Sequence, residues 1–86
     1  MKYLHQEFVC AGGETVRVTL DKQANVRLLD DENFRRYRSG GRHDYRGGLV
    51  KASPFGLTVP HAGRWHVVVD LGGYAGSVHA SIELLN

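Results

Sequence analysis

The residues best equipped for chemistry in this chain of 86 lie between Phe34 and Lys51. Arg35, Arg36, Arg38, Arg42, Arg46 and Lys51 oppose a single acid, Asp44. The segment is therefore +5 within a chain of net charge +2, and the remainder is −3. Tyr37, His43 and Tyr45 are interleaved with the bases, and Gly40, Gly41, Gly47 and Gly48 allow backbone to approach a ligand closely. Arginine forks match phosphate or carboxylate bidentately, and aromatic rings stack on bases. This marks Arg35, Arg36, Tyr37, Arg38, Arg42, Tyr45 and Arg46 as the candidate ligand-binding set. A solvated helix end and loop, its arginines paired with Asp30, Asp31, Glu32 and Asp44, accounts for the same residues and is the commoner use of clustered charge.

The other reactive residue types are scattered. His66 and His79 are expected on the outer face of neighbouring strands, where a shift in register would bring them within reach of one metal ion, with His61 in a turn nearby. No Cys-x-x-Cys or His-Glu-x-x-His spacing supports such a site, and no metal or other cofactor is expected. Cys10 needs a base to act as a nucleophile. His5 is too far along an extended strand, at roughly 3.3 Å per residue, so a buried structural thiol is expected. The glycine loop Leu71–Gly76 lacks the Gly-Lys-Ser/Thr ending of a phosphate-binding loop, and Tyr74 at its tip is either a binding contact or a lid. With no nucleophile–base pair and no evident pair of carboxylates, the chain does not read as an enzyme.

Positioning these groups falls to strands. Phe55, Leu57 and Val59 alternate with Gly56 and Thr58, Pro60 ends the run, and Pro-His-Ala-Gly turns it into a second inward row of Trp65, Val67 and Val69. Asp70 and Gly72-Gly73 stop that strand. Val16, Val18 and Leu20 form another inward row, as do Val26 with Leu28, and Val78, Ala80, Ile82 and Leu84. Tyr3 to Val9 has no cleanly apolar face and reads as an edge. Arg42–Arg46 is weakly strand-like, interrupted by Gly47-Gly48, with Leu49–Ala52 resuming. Asp30 or Asp31 caps one helix of about two turns, with Glu32 at its positive end, Arg35, Arg36 and Arg38 at its negative end, and Phe34 and Tyr37 facing the body.

Seven or eight short strands, with turn signals roughly every eight to twelve residues, point to an antiparallel sandwich or barrel, and the expectation adopted is an all-β antiparallel sandwich with one short helix, a single domain over residues 1–86. The lone cysteine excludes an internal disulfide and favours a reducing compartment. No apolar run suits a signal peptide or approaches the about 20 residues that span a bilayer. The expected location is cytoplasmic, with no membrane partner.

Three stretches carry a resemblance: Met1-Lys-Tyr-Leu-His-Gln-Glu-Phe8, Val18-Thr-Leu-Asp-Lys-Gln-Ala-Asn-Val-Arg-Leu-Leu-Asp-Asp31, and Val59-Pro-His-Ala-Gly-Arg-Trp-His-Val-Val-Val-Asp-Leu-Gly-Gly-Tyr-Ala-Gly76. In order and spacing they resemble the bacterial family called domain of unknown function 1883, over nearly the whole chain. The resemblance implies a jelly-roll sandwich like that of CUB domains, found alone or joined to modules such as TIR-type signalling domains. It implies no activity, and no residue roles are carried over. The functional expectation is a non-catalytic binding or interaction module, a monomer or homodimer, with a protein or an anionic ligand as partner. The alternative is a small nucleic-acid- or anion-binding protein that uses Arg35–Arg46.

Overall fold

A computed structural model describes residues 3–73 and 76–86. Its elements are β1 (Tyr3–Cys10), β2 (Thr15–Leu20), β3 (Ala24–Asp30), α1 (Asp31–Arg38), β4 (Arg46–Val50), β5 (Phe55–Thr58), β6 (Gly63–Asp70) and β7 (Ala80–Leu85). Alternating side chains decide the layers. Val16 and Val18 of β2 are fully buried while Arg17 and Thr19 are exposed. Val16 lies opposite Leu57 of β5 on one side and Leu84 of β7 on the other, and Val18 lies opposite Phe55 and Ile82. Each register position thus adds a continuous apolar row to the three-stranded sheet β5-β2-β7.

That sheet faces a four-stranded one of order β1-β6-β3-β4. All pairings are antiparallel. Every connection except β3 to β4 passes from one sheet to the other. Between the sheets lie Cys10, Val16, Val18, Ala24, Val26, Leu28, Val50, Val59, Trp65, Val67 and Val69. The all-β sandwich and its inward rows are therefore as the alternation predicts. Trp65 is 5 % exposed, and the Cys10 thiol is buried in the same interior.

The single helix forms where the sequence places it. The Asp30 carboxylate accepts the Asn33 N–H at 2.9 Å, capping the first turn, and Asp31 and Glu32 follow at the positive end of the dipole. Gly40, with φ +78°, turns the chain out of the helix, and its N–H reaches back to the Tyr37 carbonyl. Phe34 and Tyr37 pack on Leu29 and Val68, with Tyr3 against them, forming a second small core on the outer face of the four-stranded sheet.

Two local expectations need correction. The outer face of β6 is covered: every residue from Trp65 to Asp70 is buried, because α1 lies across it. Val68, apolar in an outward register, is the residue that draws the helix down. The pair Gly47-Gly48 does not interrupt a strand but sits inside β4, whereas residues 42–45 are not strand. Gly47 lies opposite Arg27 with φ +125°, and a Cβ there would clash with the Val26 carbonyl oxygen. Only glycine lets β4 approach β3 so closely. Tyr74 and its expected contact or lid role lie outside the described residues.

Two substitutions test this architecture by chemical denaturation. Trp65→Ala is expected to cost about 3–5 kcal/mol, and a denaturation midpoint close to the parent's would contradict a core indole. Gly47→Ala is expected to cost well over ~1 kcal/mol although the site is exposed, and a neutral result would contradict the close β3–β4 approach.

Candidate functional site

The basic segment does not form one surface. Tyr37 is 7 % exposed, and its hydroxyl donates to Asp70 Oδ2 at 2.7 Å. It belongs to the helix–sheet core and is removed from the candidate ligand-binding set, because it lies one helical turn from Phe34 on the packed stripe. Arg36 pairs with Glu32 at 2.7 Å across one turn, and the Arg38 guanidinium lies 5.6 Å over the Phe34 ring. Arg35, Arg42 and Arg46 are exposed and have no ion-pair partner among the described residues. Tyr45 is 44 % exposed, with the Arg27 guanidinium 5.1 Å over its ring. The expected pairing of arginines with Asp30, Asp31 and Asp44 is not made either. Asp30 caps the helix, and Asp31 is engaged by His66.

Two of the candidate residues, Tyr45 and Arg46, do line a groove of about 430 Å³. Buried Leu28 and Trp65 lie at its base, and Pro60, His61, Asp30, Asn33 and Asp44 complete its lining. The lining is fixed. Asn33 Oδ1 accepts the Asp44 N–H at 2.8 Å, and Asn33 Nδ2 donates to Asp30 Oδ1 at 3.0 Å, which ties the loop to the first helical turn. Trp65 Nε1 donates to the His61 carbonyl at 3.0 Å, with the two rings edge to face at 4.9 Å.

Beneath α1, two polar clusters occupy the outward register of β6. At one end, the fully buried Asp70 carboxylate pairs with Arg27 and accepts from Tyr37, from Asn25 Nδ2 at 3.0 Å and from the Gly72 amide at 2.8 Å. Burial pushes its pKa up. The hydrogen bonds from Tyr37, Asn25 and Gly72, with the Arg27 charge, outweigh that and hold the group below the ordinary carboxylate range. Burial, then the bond to Asp70, push the Tyr37 hydroxyl far above its usual value. This cluster joins α1, β3, β6 and the glycine loop. Reading Asp70 as a simple strand stop missed it, although Asn25 and Arg27 on the outward row of β3 were a signal.

At the other end is His66, 4 % exposed. The expectation that His66 and His79 share a solvated face is overturned: His66 lies in the four-stranded sheet under the helix, while His79 precedes β7 in the other sheet and bonds Asp21 at 3.0 Å. The histidine beside His66 is His5 of β1. His5 Nε2 and His66 Nδ1 are 2.9 Å apart, and His66 Nε2 lies 2.5 Å from Asp31 Oδ1. Glu7, directly opposite His66, brings Oε1 to 3.9 Å from the same Nδ1. The Phe34 ring lies over both imidazoles, at 4.3 Å from His5 and 4.2 Å from His66. Burial, and the neighbouring His66, lower the His5 pKa, while the hydrogen bond from His66 lowers that of Asp31.

The profile of the family described as Domain of unknown function (DUF1883) matches residues 1–86, and the chain belongs to that family. No curated protein and no solved structure matches it. Among the described residues, no helix is long and apolar enough to cross a membrane.

The Asp70 cluster sets two measurable expectations. Tyr37→Phe, which removes a donor from a buried charge, is expected to cost about 1.5–3 kcal/mol. An unchanged denaturation midpoint would contradict the bond. Because the folded-state pKa of Asp70 is depressed, the unfolded chain binds the proton more readily. Its contribution is fully present above the unfolded value of about 3.9 and is lost as pH falls below it through the folded value. The acid limb of stability against pH is therefore expected to be shallower in Asp70→Asn, and an unaltered limb would contradict this.

Proposed function

We propose that this chain is a non-catalytic binding module that holds a small polar ligand in the groove bordered by Tyr45, Arg46, His61 and Trp65. The observation that carries this reading is the meeting of exposed Tyr45 and Arg46 with the Trp65 floor in one concavity. Its volume of about 430 Å³ lies within the range of small-molecule sites. Asp30 and Asp44 line it together with Arg46, so the charge is mixed. Such a lining suits a neutral polyhydroxyl or zwitterionic ligand whose apolar face lies on the rings. A binding role is supported by a lining that offers no serine, threonine, cysteine or lysine nucleophile and in which Asp30 is committed to its capping bond, Asp44, Tyr45 and His61 being its remaining titratable groups. The one cysteine, a buried thiol, supports a reducing compartment such as the cytoplasm.

Exposed Arg35, Arg42 and Arg46 favour a second reading, an anion or nucleic-acid surface. A strand needs a continuous basic and aromatic track. Burial of Tyr37, pairing of Arg36 and the seat of Arg38 on Phe34 break that track.

Trp65 is the only tryptophan, so its emission reports on the groove. Titration with monosaccharides, disaccharides, free amino acids, inorganic phosphate and a short single-stranded RNA separates the readings. The expected result is a saturable change with a neutral or zwitterionic small molecule, little affected by salt and lost in Tyr45→Ala and Arg46→Ala. A response to RNA alone that collapses with salt would replace this reading with the second. No response to any probe would contradict the groove as a site.

A further inference from the structure

We infer that His5 Nε2, His66 Nδ1 and Glu7 Oε1 form a site for one transition-metal dication of the zinc class, with Asp31 orienting His66. The site is separate from the groove and does not depend on it.

The geometry begins with strand register. β1 and β6 are antiparallel neighbours with Glu7 opposite His66, so His5, two residues back on the same face, lies diagonal to His66. The three candidate ligand atoms lie within 4.8 Å of one another. The imidazole planes are 15° apart, and each is within 15° of the Phe34 ring that covers both. With the ring planes nearly parallel and the nitrogens 2.9 Å apart, His5 Nε2 and His66 Nδ1 face one another. Phe34 and the surrounding strand hold His66 in that orientation.

Protonation follows from Asp31. An ionised carboxylate 2.5 Å from His66 Nε2 requires the proton on that nitrogen, and in the neutral imidazole this leaves Nδ1 as a lone-pair donor facing His5. A carboxylate behind a ligating imidazole is the usual support that fixes tautomer and ring orientation in metal sites. Without metal, the His5 Nε2–H fills the gap by donating to His66 Nδ1 at 2.9 Å. On binding, His5 takes its other neutral tautomer, the proton passing through solvent from Nε2 to Nδ1, and the metal replaces the bridging hydrogen. Tetrahedral Zn–N bonds need a nitrogen separation of about 3.3 Å. The exposed His5 on an edge strand can supply this small opening.

Glu7 and Asp31 bring two negative charges to the cluster, and Arg64, beside Glu7, offsets part of them. Glu7 divides its oxygens: Oε2 lies 3.5 Å from Arg64 Nε, while Oε1 faces His66. Two imidazoles and one carboxylate suit zinc, cobalt, nickel or copper and are too poor in oxygen for calcium or magnesium. Three protein ligands leave a fourth position for water or a ligand atom.

The test uses protein freed of metal with a chelator. Cobalt(II) titration is expected to give the visible absorption of a four-coordinate ion, saturating at one equivalent and displaced by zinc but not by magnesium. Zinc is expected to raise the melting temperature. Imidazole nitrogen shifts are expected at His66 Nδ1 and His5 Nε2. His5→Gln and Glu7→Gln are expected to weaken binding at least tenfold, and Glu7→Gln, which breaks only an exposed ion pair with Arg64, is expected to leave the melting temperature of the metal-free protein as in the parent. Asp31→Asn is expected to weaken it by about 10–100-fold. Absence of saturable binding would overturn the site. So would unchanged affinity in His5→Gln, displacement by magnesium, or shifts confined to His43, His61 or His79.

Discussion

The structure depends on the burial of β6 on both faces. Trp65, Val67 and Val69 enter the space between the sheets, and His66, Val68 and Asp70 lie under α1. A strand so placed cannot leave polar atoms unpaired without a cost of several kcal/mol in all. Asp70 and His66 are therefore each surrounded by partners drawn from distant segments: Arg27, Asn25, Tyr37 and Gly72 for the first, Asp31 and His5 for the second. Val68, with Leu29 beside it, anchors the helix between these two polar ends through Phe34 and Tyr37.

Both candidate sites follow from that docking. With α1 fixed, Asp30 and Asn33 line the groove and hold the chain at Asp44, which brings Tyr45 and Arg46 over the Trp65 floor. The same docking lays Phe34 across His5 and His66 and sets Asp31 against Nε2. Groove and histidine cluster thus both draw on the N-terminal turn of α1, the first through Asp30 and Asn33 and the second through Asp31 and Phe34. The glycine at position 47 belongs to the same frame, since it lets β4 close against β3 and delivers Arg46 to the groove edge.

Periodicity carried much of the fold in its local form. The inward rows of β2 and β6, the Asp30 cap and the packed stripe of Phe34 and Tyr37 are each consequences of residues within one turn or one strand, and the family resemblance agrees with the profile match over residues 1–86. Strand neighbours are a different matter. Nothing local says that His66 lies beside His5, 61 positions away, rather than near His79. Pairing between remote strands is decided by how whole rows fill the interior. Charge was likewise legible only as composition. The arginines between Phe34 and Lys51 are dense in sequence, but helix, loop and strand disperse them, and Tyr37 turns inward. The residue pattern Trp-His-Val-Val-Val-Asp did carry an overlooked signal, because an apolar residue in each register marks a strand covered on both sides.

The most direct measurement of this arrangement is nuclear magnetic resonance of the His66 ring in metal-free protein. If β6 is covered by α1, the Nε2 proton of His66 exchanges slowly with solvent, Nδ1 is unprotonated, and the ring shows close contacts to Phe34. A His66 ring that averages both tautomers, exchanges freely and shows no contact with Phe34 would mean that the outer face of β6 is open to water, and the account built on its burial would fail.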